Sequence, residues 1–356
     1  MLKNYAMDMK TYDVIIIGGG QAGLSVAYFL KRTHLKYLIL DNQTQPGGSW
    51  LKTWDSLKLF SPSAYSSLSG WAMPKSKTEY PTKTEFINYL KAYENRYNFP
   101  IQRETEVITI KKETEYFKIE TSQGIIYSKA VVSATGTAKH PFIPSYPNSK
   151  LFTGEQIHSA HYSNSNHLKD KKVLIVGGGN SGAQILAEVS KHAQTKWVTL
   201  NDPQFLPDDI DGRYLFEDAN NRFFDKSNTN NKPKISLSSI VMIQSVKEAR
   251  ERNVLHAVRP FKSFYNEGVI WQNDVKEKFD TVIWCTGFKA NLNHLKSLHV
   301  IEDHKIKTDY TRSILEPNLW LVGYGNWTGF ASATIYGVGK TARQTAKEIK
   351  EMFLKN

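Results

Sequence analysis

Among its 356 residues this chain has a single cysteine, Cys285. A lone thiol cannot form an internal disulfide, a dithiol redox pair or a cysteine-based metal site. Long apolar runs are missing as well. No window approaches the ~18 apolar residues that cross a bilayer, and the opening "MLKNYAMDMK" has no apolar core of signal-peptide length. The expectation is a cytoplasmic protein with no membrane partner. Blocks of like charge are also scarce. The formal charge is +12, from 46 Lys+Arg against 34 Asp+Glu, but the lysines are mixed with acids, and pairs such as Lys111-Lys112 stay short. Nucleic acid is therefore not an expected partner. His158 and His161 have no cysteine or carboxylate cluster beside them, so no metal is expected.

What is present is an internal repetition. "YDVIIIGGGQAGLSVAYFLKR" (12–32) begins with a short apolar run suited to a buried strand. After three glycines, Ala22, Val26, Phe29 and Leu30 share one helix face, and "KYLILD" (36–41) reads as the next strand. "KKVLIVGGGNSGAQILAEVSKH" (171–192) and "KWVTLND" (196–202) repeat that plan. "VVSATGT" (131–137) and "VIWCTGF" (282–288) close the two copies with a strand ending in Thr-Gly. Between Asp41 and Ala134 the alternating segments "TEVITI", "EYFKIET" and "GIIYS" predict a small β-meander. A strand at "LWLVG" (319–323) and a final helix within 331–354 are expected to return to the first half. The fold class is α/β, with two Rossmann-like dinucleotide-binding domains, the second inserted into the first. The expected boundaries are 1–160 and 287–356 for the first domain and 161–286 for the second. The asparagine-rich stretch 226–234 reads as a loop.

Gly18-x-Gly20-x-x-Gly23 fits the dinucleotide fingerprint. Its glycines allow the tight turn, the approach of a pyrophosphate and close helix–strand packing, and the helix start at Gln21 and Ala22 offers N–H groups. Asp41, 18 residues past Gly23 and followed by Asn42, can accept both hydroxyls of an adenosine ribose. Gly177-x-Gly179-x-x-Gly182, with Asn180 and Ser181 inside it, has equal context, and Cys285, Thr286 and Gly287 close its fold. Asn201 is placed where Asp41 stands in the first copy, and no arginine is evident there, so NADH and NADPH both stay open. Two such folds in one chain point to FAD in the first and a nicotinamide in the second.

Phe152-x-Gly154-x-x-x-His158-x-x-x-Tyr162 lies between the two fingerprints. With "PGGSW" (46–50), the "ATG" at 134–136, "FLPDDIDGR" and "VIWCTGF", it resembles the flavin-containing monooxygenases, and most of all the compact bacterial members that accept NADH as well as NADPH. The likeness runs from about Tyr12 to the final helix. It implies a C4a-(hydro)peroxyflavin that oxygenates thioethers or ketones, with O2 and a small molecule as substrates. It implies a flavin site that includes Gly48, Ser49, Trp50, Val107, Ala134, Thr135, Gly136 and Asn326. It also implies that the 151–164 loop sits beside the nicotinamide and fixes domain geometry, with structural roles for His158 and Tyr162. Two residues depart from the pattern: Ser61 stands where larger members carry an active-site Asn, and Asn326 follows Gly325 where related flavoproteins have Asp. The alternatives are a flavin or disulfide reductase without oxygen insertion and a flavin redox sensor. The cluster Asp208, Asp209, Asp211 and Arg213 reads as a salt-bridged turn ahead of a channel. Trp50, Trp54, Tyr65, Trp71, Trp327 and Phe330 are candidates for pocket walls or flavin packing. The physiological substrate and a homodimer both stay open.

Overall fold

A computed structural model describes residues 10–210, 239–329 and 331–355. Asp211, Arg213, Phe330 and the stretch 226–234 lie outside the described residues. The chain runs β1 (Thr11–Ile17), α1 (Gln21–Leu30), β2 (Tyr37–Leu40), α2 (Lys83–Tyr97), β3 (Ile101–Gln102), β4 (Val107–Lys112), β5 (Phe117–Thr121) and β6 (Gly124–Ser133). It continues β7 (Glu155–His158), β8 (Lys172–Val176), α3 (Asn180–Val189), β9 (Gln194–Val198), α4 (Gln244–Glu251) and β10 (Ala257–Val258). The strands β11 (Ser263–Tyr265), β12 (Gly268–Ile270), β13 (Lys276–Lys278) and β14 (Thr281–Trp284) follow. The chain closes with β15 (Ile301–Glu302), β16 (Lys305–Ile306), β17 (Thr308–Asp309), β18 (Arg312–Ser313), β19 (Leu319–Leu321) and α5 (Ile335–Lys355).

The first sheet has nine strands, with β17-β18-β19-β6-β1-β2-β3 along its main path. Val14, Ile15 and Ile16 of β1 are fully buried between parallel neighbours β2 and β6. Such two-sided burial is why the strand reads as an unbroken apolar run. β6 serves three partners. Its first half pairs antiparallel with β5 (Lys118↔Tyr127), which makes the expected meander, and its second half pairs parallel with β1 and β19. β19 and α5 do return to this half. Val338, Ala342 and Ile349 of α5 share one core with Leu24 and Ala27 of α1.

The second sheet, β10-β9-β8-β14-β7, is parallel throughout. Its edge strand β7 precedes residue 160, the expected end of the first segment, yet it belongs to this sheet. A three-stranded antiparallel layer, β11-β12-β13, stands beside it. α2 is an element beyond those expected from the sequence. Thr82 caps it, accepting from Glu85 N, while the Glu85 carboxylate accepts from Thr82 N at 2.8 Å. This capping box, Thr-x-x-Glu ahead of apolar residues, is visible in the sequence.

The chain crosses between the two halves twice, and the two crossings lie side by side. Asn291 N donates to Gly136 O at 2.9 Å, Lys289 N to His140 O at 2.8 Å and Phe142 N to Gly287 O at 2.9 Å. The connectors thus form a short antiparallel ribbon.

Candidate functional site

Two glycine-rich turns, each at the carboxyl end of a central parallel strand, have the same construction. Gly18 N bonds Leu40 O at 2.8 Å, and Gly177 N bonds Val198 O at 2.8 Å. A methyl on Gly23 would lie 1.9 Å from Gly18 O, and one on Gly182 would lie 2.2 Å from Gly177 O. Only hydrogen fits there, because helix and strand touch. The middle glycines differ in kind. A methyl on Gly20 would meet nothing nearer than Gly48 Cα at 3.9 Å, and one on Gly179 would meet nothing within 4 Å. That open space, ahead of the N–H groups that begin α1 and α3, is what a pyrophosphate requires.

At the first turn, Gln21 Oε1 accepts Trp50 Nε1 at 3.0 Å, and Gln21 Nε2 donates to Ala333 O at 3.0 Å. The Gly48-Ser49-Trp50 turn and the segment leading into α5 are thereby joined at the start of α1. Ala22 is buried there, and Asn42 Oδ1 accepts Gln43 Nε2 at 2.9 Å. Asp41 is buried at the end of β2, and the Gly19 and Gln43 N–H groups bond its carboxylate. Arg103, just beyond β3, donates both to Asp41 Oδ2 and to Glu94 Oε2 of α2. Burial raises the Asp41 carboxyl above its ordinary value, and Arg103 opposes that. Glu94 Oε1 is buried without a partner. Arg103 and Glu94 carry no signal in the sequence, because a pairing between the end of β3 and α2 has no local signature. Val107 starts β4, two residues past Thr105, whose N–H bonds Asp41 O at 2.9 Å.

At the second turn one expectation is corrected. β9 ends at Val198, so the residue matching Asp41 is Thr199, which abuts Gly178 as Asp41 abuts Gly19. Asn201 lies two residues further on and is exposed. Thr199 is 2% exposed, and its Oγ1 has no partner. A cation is also present. Arg259 follows β10, which pairs with β9, and its guanidinium lies 2.7 Å from the exposed Asp202. Asn180 turns its side chain away from the turn, donating to Ser239 O at 3.0 Å and accepting from Val241 N at 2.9 Å. Ser181 lies in the first turn of α3.

The 152–162 stretch packs across this second half. Phe152 folds over Gly154, where a methyl would lie 2.3 Å from its ring and 2.6 Å from Asp280 O. His158 ends β7. Its Nε2 donates to Gly287 O at 3.0 Å, and its Nδ1 accepts from Ala160 N at 3.0 Å. Burial lowers its pKa, and both nitrogens are committed, so neither is free to act as a base. Tyr162 is buried and donates to Glu188 Oε1 of α3 at 2.9 Å, while Ser56 donates to Glu188 Oε2. Burial raises the Tyr162 phenol. A cavity of about 500 Å³ runs along β7, lined by Glu155, His158, His161 and His167 among others, and includes no residue of the glycine turns.

The remaining candidates are spread out. Cys285 follows β14 beside Gly177, and burial pushes its thiol up to about 12, so it is a thiol and not a nucleophilic thiolate. Thr286 Oγ1 donates to Phe142 O. Ala134 is buried at the end of β6. Ser61 is buried, and its carbonyl accepts Ser66 Oγ at 3.0 Å. Asn326 is exposed in the turn after Gly325. The aromatic candidates divide among elements: Trp50 and Trp71 pack on α2, Tyr65 on Tyr336, Trp327 on Tyr324, and Trp54 is buried. Asp208 forms a solvent-exposed pair with Arg250 at 2.6 Å. Among the described residues, no cluster could hold a metal and no helix is long and apolar enough to cross a membrane.

Two nucleotide turns at the ends of parallel strands in two sheets, with open glycines and the orphaned Glu94 Oε1 and Thr199 Oγ1, define a two-dinucleotide flavoprotein. The chain belongs to the pyridine nucleotide-disulphide oxidoreductase family, whose model matches residues 15–323, and within it to the bacterial flavin-containing monooxygenases. It is 42% identical to the flavin-containing monooxygenase of Stenotrophomonas maltophilia, with a TM-score of 0.90 over 97% of this chain and all of that one. It is 34% identical over 346 residues to the uncharacterized oxidoreductase CzcO of Bacillus velezensis, covering 95% of this chain and 99% of the relative. A probable indole-3-pyruvate monooxygenase of Arabidopsis thaliana, YUCCA4, is 26% identical over 96% of this chain and 90% of its own length. The chain is thus an FAD-dependent monooxygenase that uses NAD(P)H, and its relatives imply O2 and a small-molecule substrate.

Proposed function

We propose that this monooxygenase transfers one oxygen atom of O2 to a small soft nucleophile such as a thioether, or to a ketone, with the other leaving as water. The domain built on 1–160 and 287–356, less β7, holds FAD, and 161–286 with β7 holds the nicotinamide. FAD, when bound, would supply the redox chemistry that couples NAD(P)H to oxygen. The chain binds, orients and shields. Gly18, Gly20 and Gly23 cradle the FAD pyrophosphate, Asp41 accepts its ribose hydroxyls, and Gly48 to Trp50, Ala134 to Gly136 and Asn326 surround its isoalloxazine half. Gly177, Gly179, Gly182 and Thr199 do the matching work for NAD(P)H, and Cys285 to Gly287 close that site. Ser61 donates a hydrogen bond at the reacting end. A cytoplasmic setting would supply the NAD(P)H.

The observation that carries this proposal is the paired construction of the two turns, with the Phe152–Tyr162 stretch tying α3, through Tyr162 and Glu188, to the return connector, through His158 and Gly287. The test is the fate of labelled oxygen. We expect ¹⁸O from ¹⁸O2 in the sulfoxide of a small aryl thioether, with much of the NADH oxidised yielding hydrogen peroxide, because a serine hydroxyl has a shorter reach than an Asn amide. Peroxide alone, with no label in sulfoxide or ester, would leave a reductase.

Cofactor choice should depend on Arg259. We expect Arg259→Ala to raise the KM for NADPH about fivefold, or ~1 kcal/mol for a half-exposed cation, with little change for NADH. Asp202→Asn, which frees that guanidinium, should shift preference toward NADPH. Equal effects of Arg259→Ala on both cofactors would place 2′-phosphate recognition on other residues.

A further inference from the structure

The return connector, residues 287–298, is held at each end by a histidine. At one end, Gly287 O accepts His158 Nε2 at 3.0 Å. At the other end runs a buried chain of side chains. His294 Nε2 lies 2.9 Å from Ser133 Oγ, Ser133 Oγ 2.5 Å from Tyr324 OH, Tyr324 OH 2.7 Å from Thr135 Oγ1, and Thr135 Oγ1 2.7 Å from Asn291 O. His294, Ser133 and Tyr324 are all nearly inaccessible.

The direction of this chain follows from its last acceptor. A carbonyl only accepts, so Thr135 gives its one hydroxyl proton to Asn291 O. Thr135 must then accept from Tyr324, Tyr324 from Ser133, and Ser133 from His294 Nε2–H. Every hydroxyl both donates and accepts, and hydrogen bonds aligned in this way polarise one another. Only histidine with a proton on Nε2 completes the chain. Burial lowers the His294 pKa to about 4, so the ring is neutral. The chain leaves the connector at His294 and returns to it at Asn291. On the way it passes through Ser133 and Thr135, at the end of β6, and Tyr324, next to the Gly325-Asn326 turn.

We propose that this one-way chain is a positioning device, with His294 and Tyr324 locking the return connector to the strand ends that face the flavin and so setting the distance between nicotinamide and flavin. Its consequence for hydride transfer rests on the nucleotide assignment above, whereas its mechanical part does not.

The test compares holoenzymes of wild type, Tyr324→Phe, His294→Leu and His294→Gln. Hydrogen exchange of residues 287–298 is measured with and without FAD, and anaerobic flavin reduction by NADH and by NADPH is followed by stopped flow. We expect Tyr324→Phe and His294→Leu to retain FAD and reduction by dithionite. Both should exchange the connector about tenfold faster and reduce flavin about tenfold more slowly, the effect of one lost hydrogen bond. His294→Gln, whose amide N–H replaces Nε2–H, should restore both. Wild-type behaviour of Tyr324→Phe, faster exchange with unchanged reduction, or equal loss in His294→Gln and His294→Leu overturns the proposal. Should the variants not fold, ¹⁵N spectra of the wild type decide: a neutral Nε2–H tautomer from pH 5 to 9 supports the chain, and Nδ1–H or imidazolium overturns it. Absence of reduction by both NADH and NADPH in the wild type overturns the nucleotide assignment and with it the hydride-transfer part of the proposal, whereas unchanged exchange in the FAD-free variants overturns the lock itself.

Discussion

Gly23→Ala is expected to purify without FAD, whereas Gly182→Ala is expected to keep FAD and lose reduction by NADH. The added methyl would lie 1.9 Å from Gly18 O in one variant and 2.2 Å from Gly177 O in the other. In each case the obstacle is a backbone atom, and no rotamer change relieves it. The helix must withdraw from the strand, and its N–H groups then leave the pyrophosphate position. We expect flavin reduction in Gly182→Ala to fall by about a hundredfold, or ~2.8 kcal/mol. Visible absorbance measures the flavin content of both variants, and stopped-flow reduction by NADH and by dithionite separates a lost nicotinamide site from a damaged flavin. If Gly182→Ala loses FAD while Gly23→Ala retains it, the two nucleotides are assigned the wrong way round.

Asp41→Ala should weaken FAD binding by about 10- to 150-fold, the range that ~1.5–3 kcal/mol for a lost charge-assisted hydrogen bond implies. Asp41→Asn, which keeps an acceptor but no charge, should fall between that variant and wild type. The binding should also depend on pH in a set direction. Ribose hydroxyls need the ionised carboxylate as a double acceptor, and burial raises the Asp41 pKa above its ordinary value. FAD affinity is therefore full above the raised pKa and is lost as pH falls through it, at a higher pH than for an exposed aspartate. Titrating apoprotein with FAD by fluorescence quenching from pH 7.5 to 4.5 checks this. Affinity in Asp41→Asn should change much less over the same range, and a parallel loss in both proteins would assign the dependence to another group.

The repetition was legible because it is local: strand, glycine turn and helix follow each other within about twenty residues, and each carries its own periodicity. Asp41 is legible from its distance to Gly23. At the second site the helix-to-strand connection is shorter, and the equivalent residue is displaced. Thr199 stands 17 residues past Gly182, against 18 from Gly23 to Asp41, and reading the strand on to residue 202 moved the candidate to Asn201. Arg259 could not be found this way, since it reaches the site only because the two-residue strand β10 pairs with β9. Arg103, Glu94, His294 and Tyr324 are of the same kind. Their partners lie far away in sequence or on another element, and nothing in composition marks a residue that will be buried beside a charge. The fingerprint stretch lay between these cases. Its residues were recognisable by spacing, but the packing of Phe152 over Gly154 and the commitment of both His158 nitrogens appear only in three dimensions.

The paired connectors also bear on how such a protein can be taken apart. Phe142 N and Gly287 O are hydrogen-bonded at 2.9 Å, so the points where the chain leaves the first domain and re-enters it are neighbours. The residues between them form one continuous cassette whose ends meet, an arrangement that tolerates insertion and excision well. A short turn from Phe142 to Gly287 would seal the first half into an uninterrupted chain with all the strands of its sheet. The cassette in turn could be exchanged for another without altering the length of either connector.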